Sequence, residues 1–339
     1  MTTAYLTHPD YVLHHVPHHP ESPQRMRAIH DMLTQTGLLD KLLSITPNPI
    51  TDEQILDAHT DDYLDLLQYG ERVGNALEFD GDTLAMPDTF RVARLSAGGV
   101  VDAVTAVLTG QADNALAVTR PPGHHAVPDR AMGFCFLNNV AIAARHAQKV
   151  YGLERVMIVD YDVHHGNGTQ DIFYDDPSVL FVSTHQNPLY PRTGDIEETG
   201  THQNIVNIPL PPSCGDTQYA QVFQEIVWAV ARRFQPQLII VSAGFDAHPH
   251  DHLSHMNLSL TGYDHITREL IEMANALCDG KIVFALEGGY NLDVLAQGVR
   301  NIVHALLGED ERSDTYSKTG SNLNIDDLVN QIKTLHQLG

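Results

Sequence analysis

Cations are scarce in this chain. Of its 339 residues, 20 are Lys or Arg against 43 Asp or Glu, a formal charge of −23 with histidine counted as neutral. Neutralising nucleic-acid phosphates or docking on an anionic membrane needs a basic or apolar face, so neither nucleic acid nor membrane is an expected partner. A cationic substrate suits the charge. Cysteine is equally sparse: Cys135, Cys214 and Cys278 stand too far apart for a CxxC metal site or a disulfide framework, which fits a reducing compartment. No apolar run approaches the ~20 residues of a spanning helix. The stretch MTTAYLTHPD has neither the basic nor the apolar region of a secretion signal, and the expected localisation is cytoplasmic.

Histidine is abundant instead, with 21 residues. It is the commonest metal ligand and the most frequent general base, so the composition points toward chemistry. With 42% hydrophobic content the length reads as one large domain, 1–339. Seven short apolar runs, at 4–7, 115–118, 155–160, 179–185, 205–210, 238–245 and 281–289, read as strands buried on both faces. Helical periodicity separates them at 89–108, 138–151, 217–234 and 263–277. The alternation implies an α/β protein with a doubly wound sheet and helices on both faces. The polar segment 308–321 is expected to loop out before a last helix at 325–338.

Ligands of such sheets bind beyond the carboxyl ends of the strands, where four segments here carry His, Asp or Tyr. Asp162 and His164, two apart in an extended segment, project to one side and can share a cation. Asp246, from another strand end, supplies a third ligand and leaves a position open, the form of a catalytic zinc site. Taken alone, both aspartates serve equally well as caps of turns or helices. His124 and His125 follow two prolines and a glycine, and adjacent imidazoles can divide acid and base work with Asp160 and Asn167 orienting them. A bare His-His pair is equally a surface feature. Tyr290, behind Gly288 and Gly289, either offers its hydroxyl to a developing oxyanion or caps a turn. Phe134 and Tyr190 read as core aromatics or as walls of an apolar channel. The pairs His14-His15 and His18-His19, and the group His248, His250, His252 and His255, read as solvated or rim residues.

RPPGHHA, GFCFLNN, IVDYDVHHGNGTQ, VSAGFDA and LEGGYN occur in this order, and together they resemble the zinc-dependent histone deacetylase family. The resemblance runs from HPESPQR (19–25) to about residue 307. Asn167 within HHGNGTQ is similar to class II members, bacterial deacetylase-like amidohydrolases included, whereas class I carries Asp there. The resemblance implies an arginase/deacetylase-like fold with an eight-stranded, mainly parallel sheet. It implies Zn2+ at Asp162, His164 and Asp246, with Tyr290 polarising the substrate carbonyl. It makes His125 the base and acid, His124 its electrostatic partner hydrogen-bonded to Asp160, and Asn167 the partner of His125, which should leave His125 less basic. It places K+ at Asp160, Asp162, His164, Ser183 and Thr184. Phe134 and Tyr190 match the two walls around an acyl-lysine stem, although position 190 is usually Phe, and Gly133 lines that channel.

The implied activity is removal of acetyl or other acyl groups from lysine side chains of proteins or peptides, with release of acetate. The main alternative is a deacetylase of acetylated polyamines. Polyamine-specific relatives carry Glu seven residues after the third metal ligand, and this chain has Leu253 there. A non-catalytic member of the fold and an arginase-like binuclear manganese hydrolase complete the alternatives. The binuclear reading needs a second carboxylate cluster beside Asp162. Fe(II) or Co(II) suits the same oxygen-rich site nearly as well as zinc.

Overall fold

The computed structural model describes residues 1–74, 76–313 and 321–339. Among the described residues the strands are β1 (Thr3–Leu6), β2 (Leu43–Ile45), β3 (Leu77–Glu78), β4 (Leu84–Ala85), β5 (Asn114–Ala117), β6 (Val156–Asp160), β7 (Val179–Gln186), β8 (Ile205–Leu210), β9 (Leu238–Ala243) and β10 (Ile282–Leu286). Eight of them form one sheet in the order β2-β1-β5-β10-β9-β6-β7-β8. Every pairing in it is parallel, in line with the expected eight-stranded, mainly parallel sheet. β3 and β4 make a separate antiparallel hairpin.

Alternation along the strands explains why they read as continuous apolar runs. In β6, Val156 and Ile158 enter one hydrophobic cluster while Met157 and Val159 enter another, and β9 and β10 divide in the same way. One cluster takes in the helix Asn139–Tyr151 and most of the buried face of Thr89–Leu108; the other takes in Pro23–Gln35, Leu260–Leu277, Leu292–Leu306 and Asp326–Leu335. Both faces of the sheet are therefore covered.

Where sequence and structure part, local reasons are visible. β2 is a three-residue edge strand of partly exposed residues, too short and too polar to stand out as an apolar run. The run expected as one helix over 217–234 is Asp216–Val222 and Trp228–Phe234 joined by a π-helical turn, Phe223–Val227. The last helix is shorter than expected, Asp326–Leu335. Residues 314–320 of the expected polar loop lie outside the described residues.

The segment ahead of the first long helix is anchored by a buried ion cluster. Glu21 Oε1 accepts from Arg120 Nε at 2.6 Å and from Arg25 Nη1 at 3.2 Å. Arg120 also donates to the carbonyls of Tyr11 and His14, and Arg25 to those of Gly289 and Glu287. Far from being solvated, His14 is buried against Thr89 and Glu21. Burial alone would raise the Glu21 carboxyl, but Arg120, Arg25 and His14 outweigh it and hold it down to about 2.

A carboxyl lowered from 4.5 to about 2 contributes stability above pH 4.5 that is lost as the pH falls toward 2. Glu21→Gln leaves two guanidinium groups without a counter-charge and is expected to cost about 3 to 5 kcal/mol at pH 7. Urea unfolding should show the gap between wild type and variant closing as the pH is lowered through that window. A gap that is absent at pH 7, or constant with pH, contradicts the assignment.

Candidate active site

Adjacent strands β5, β10, β9 and β6 deliver the chemistry from their carboxyl ends. The loop after β5 carries His124 and His125; Asp160 closes β6, and Asp162 and His164 follow it. Asp246 lies three residues beyond β9, and Tyr290 four beyond β10. Parallel strands put all of these segments at one edge of the sheet.

Asp162, His164 and Asp246 converge with ligand atoms within 4.8 Å of one another. His164 Nδ1 stands 3.1 Å from both Asp162 Oδ1 and Asp246 Oδ2. Burial would push this imidazole down, yet the two carboxylates hold it up to about 10. Two buried carboxylates facing one imidazole form a donor set suited to a dication, which would displace the proton. The remaining oxygens are fixed by backbone: Gly288 N–H donates to Asp162 Oδ2 at 2.8 Å and Val163 N–H to Asp246 Oδ1 at 3.0 Å. Gly288 also makes the space. A Cβ there would sit 2.3 Å from Asp246 Oδ2 and 2.5 Å from Asp162 Oδ2.

The two adjacent histidines have opposite electrostatics. His124 Nδ1–H donates to Asp160 Oδ2 at 2.9 Å. Burial would lower it, but Asp160 and Asp162 raise it to about 10. His125 Nδ1–H donates to Asn167 Oδ1 at 2.8 Å. Burial, with His124 and His164 adding to it, pushes His125 well below its ordinary value, while the Asn167 bond works the other way. The low basicity expected from an amide at 167 is thus a result of burial and neighbouring charge.

Above these groups opens a pocket of about 200 Å³ lined by His125, Gly133, Phe134, His164, Tyr190, Leu253 and Tyr290, with Asp82 and Leu189 at its mouth. Phe134 and Tyr290 meet edge to face with centroids 6.0 Å apart, and Tyr190 stands edge-on to His125 at 5.2 Å. Gly133 has φ +56°, and a Cβ on it would lie 2.3 Å from His125 Cδ2, so only glycine fits. Ser183 and Thr184 are buried on β7, and Ser183 pairs in register with Asp160. The structure therefore gathers the sequence-derived residues into one locality.

Four residues were not singled out from sequence. Glu287, fully buried after β10, accepts from Gly123 N–H and His124 N–H. Asp251 accepts from Leu253 N–H through Oδ1 and from Tyr290 N–H through Oδ2. Asp80 and Asp82 belong to the β3–β4 turn at the mouth, where Asp-Gly between apolar residues was a legible hairpin signal. His248, read as a loop histidine, is buried. Among the described residues the other group spaced to hold a cation is His124, Cys135 and Glu287, which is not the second carboxylate cluster of a binuclear site.

The histone deacetylase domain matches residues 19–306. The chain is 41% identical over 317 residues to a probable deacetylase of Archaeoglobus fulgidus, spanning 91% of this chain and 88% of that one. It is 40% identical over 277 residues to a histone deacetylase-like amidohydrolase of Pseudomonas aeruginosa, spanning 80% and 73%. Among solved structures, the HD domain of HDA15 superposes with a TM-score of 0.90 at 36% identity, covering 99% of this chain and 94% of that one.

Gly288→Ala should insert a methyl group into the oxygen cradle with little consequence for the sheet. The expected outcome, measured by metal analysis and circular dichroism, is loss of most of any bound metal with unchanged secondary structure, as for His164→Ala and Asp246→Ala. Full metal stoichiometry in these variants would overturn the ligand set.

Proposed function

Because the chain belongs to the histone deacetylase family, we propose that it is a zinc-dependent amidohydrolase that removes acetyl groups from the lysine side chains of proteins or peptides and releases acetate. The observation that carries this reading is a single apolar pocket with His125, His164 and Tyr290 in its lining and with Asp162 and Asp246 joined to His164. A zinc ion held by Asp162, His164 and Asp246 would supply Lewis acidity, lowering the pKa of a water and polarising the amide carbonyl. Its neighbours in the chain supply the rest.

His125 is neutral and its Nδ1–H is committed to Asn167, which leaves Nε2 as the proton acceptor. After attack at the carbonyl, the same nitrogen returns its proton to the departing amine. His124, cationic through Asp160, contributes fixed positive charge beside it. The Tyr290 phenol is kept protonated because burial and the Asp246 and Asp162 charges raise its pKa, so it can donate to the developing oxyanion. Phe134, Tyr190 and Gly133 line the route of the alkyl stem and keep water from it. A potassium ion at Asp160, Asp162, His164, Ser183 and Thr184 suits the buried carboxylate of Asp160 opposite Ser183. Three buried free cysteines and the acidic composition fit work in the cytoplasm, with residues 1–339 acting as one domain.

The second reading, an acetylated polyamine substrate, is favoured by the Asp82 carboxylate at the mouth and by the charge of −23. Leu253 on the same rim offers nothing to a second ammonium. Turnover of zinc-loaded enzyme on acetyl-lysine peptides against N-acetylated polyamines separates the two, with peptides expected to give the higher kcat/KM.

Tyr290→Phe removes one oxygen and should lower kcat by roughly 10² to 10³ with little change in KM. A large KM effect with preserved kcat would reduce Tyr290 to a binding residue. Leu253→Glu adds a rim charge worth about 0.2 to 1 kcal/mol to a cationic substrate. It should shift kcat/KM toward acetylspermidine, and the shift should shrink as salt is raised. Unchanged selectivity at low salt would remove position 253 from the specificity argument.

A further inference from the structure

An apolar wall needs no hydroxyl, and Tyr190 has one. That hydroxyl donates to Asp80 Oδ2 at 3.1 Å across the pocket mouth. The same oxygen accepts Gly133 N–H, also at 3.1 Å, from the opposite wall. One carboxylate oxygen thus joins both sides of the channel. We propose that Asp80 is a specificity-determining latch that ties Tyr190 to the Gly133–Phe134 wall and holds the mouth at the width of one unbranched alkyl stem.

The geometry gives the latch a fixed side and a movable side. On the fixed side Asp80 Oδ1 accepts Thr83 N–H at 3.0 Å, closing the β3–β4 turn, and Thr83 Oγ1 accepts Phe134 N–H at 3.0 Å. Phe134 has φ +69°, a left-handed conformation unfavourable for a bulky residue, so its N–H needs that anchor to stay aimed. Gly133 and Phe134 are therefore held at two adjacent points by a buried threonine and the turn aspartate. On the movable side, Tyr190 is 39% exposed and reaches Asp80 through its hydroxyl. A single exposed hydrogen bond to a carboxylate is weak enough to open for an entering substrate and directional enough to fix the ring edge-on to His125. Without it the Tyr190 ring is free to swing outward, which loosens the grip on a thin stem and admits a thicker one.

This inference rests on the proposed deacylase reading, and the test separates the two. Tyr190→Phe removes only the hydroxyl. Asp80→Asn leaves one side-chain oxygen to serve either Thr83 N–H or the shared pair. Zinc-loaded wild type, each variant and the double variant are assayed on an acetyl-lysine peptide and on an acetamide whose stem carries a cyclohexane ring. Each single change should lower the preference for the thin stem about three- to tenfold, mainly through KM. The double variant should equal either single one, because both remove the same tie. Additive effects, effects confined to kcat, or unchanged preference would overturn the latch. If the wild type hydrolyses no acetamide, the deacylase reading fails, and the latch is then read from the dissociation of a linear alkyl hydroxamate from the zinc-loaded protein. Faster release in both variants supports the latch, and equal rates overturn it.

Discussion

Four acids, Asp160, Asp162, Asp246 and Glu287, are buried together at the carboxyl ends of β6, β9 and β10, and the rest of the site is arranged around their mutual repulsion. Burial raises Asp160 and Asp246, and carries Glu287 up to about 7, whereas His124 and His164 keep Asp162 ionised against the same burial. Four unscreened like charges at this spacing are not sustainable in a medium of low dielectric. The loops answer with backbone donors: Gly288 for Asp162, Val163 for Asp246, and Gly123 and His124 for Glu287. Each donor belongs to a segment leaving another strand end or the metal loop itself. The loop conformations and the charge arrangement are therefore one construction, and a dication at its centre would relieve the repulsion between the carboxylates.

The same economy explains where the few cations go. Arg25 and Arg120 are buried around Glu21 instead of lying on the surface, and Arg25 grips the carbonyls on either side of the Gly288 turn. Its guanidinium also lies 5.3 Å from the Tyr290 ring centroid. This internal brace takes in two of the 20 basic residues together with Glu21, and the chain as a whole keeps its formal charge of −23, a field that favours the approach of cations over anions.

How much was legible depended on the range of the interaction. The central strands were, because burial on both faces writes an uninterrupted apolar run into the sequence, and so was the helix over Thr89–Leu108, whose periodicity is local. The edge strand β2 was not, since three residues with one side in solvent carry almost no pattern, and the two-residue strands of the hairpin were marked only by the Asp80-Gly81 turn between them. Of the site, the spacing of Asp162 and His164 and the glycines before Tyr290 allowed a ligand or donor role beside a turn-capping one, and only the resemblance of the bracketing motifs chose between them. Glu287, Asp251 and Asp80 act on backbone N–H groups of segments remote in sequence, Gly123, Tyr290 and Gly133 respectively, and such contacts leave no local signature. His14 shows the converse error: polar character suggested solvent, but Thr89 and Glu21 give its ring partners inside.

Asp251 shows how chemistry and selectivity coexist in so small a volume. Its Oδ1 holds the backbone N–H of Leu253 at the rim, and its Oδ2 holds that of Tyr290 at 2.6 Å. A rigid carboxylate thus sets the position of the rim residue and of the hydroxyl donor together. Because both bonds go to backbone, neither depends on which side chain stands at 253. A change of side chain there alters what the mouth offers to a substrate while the N–H, the carboxylate and the Tyr290 backbone stay where they are. A change at 251 removes the common reference for both. In the proposed reading, a rim residue could therefore change with the substrate without disturbing the reaction below, and the freedom of position 253 would follow from the constraint at 251.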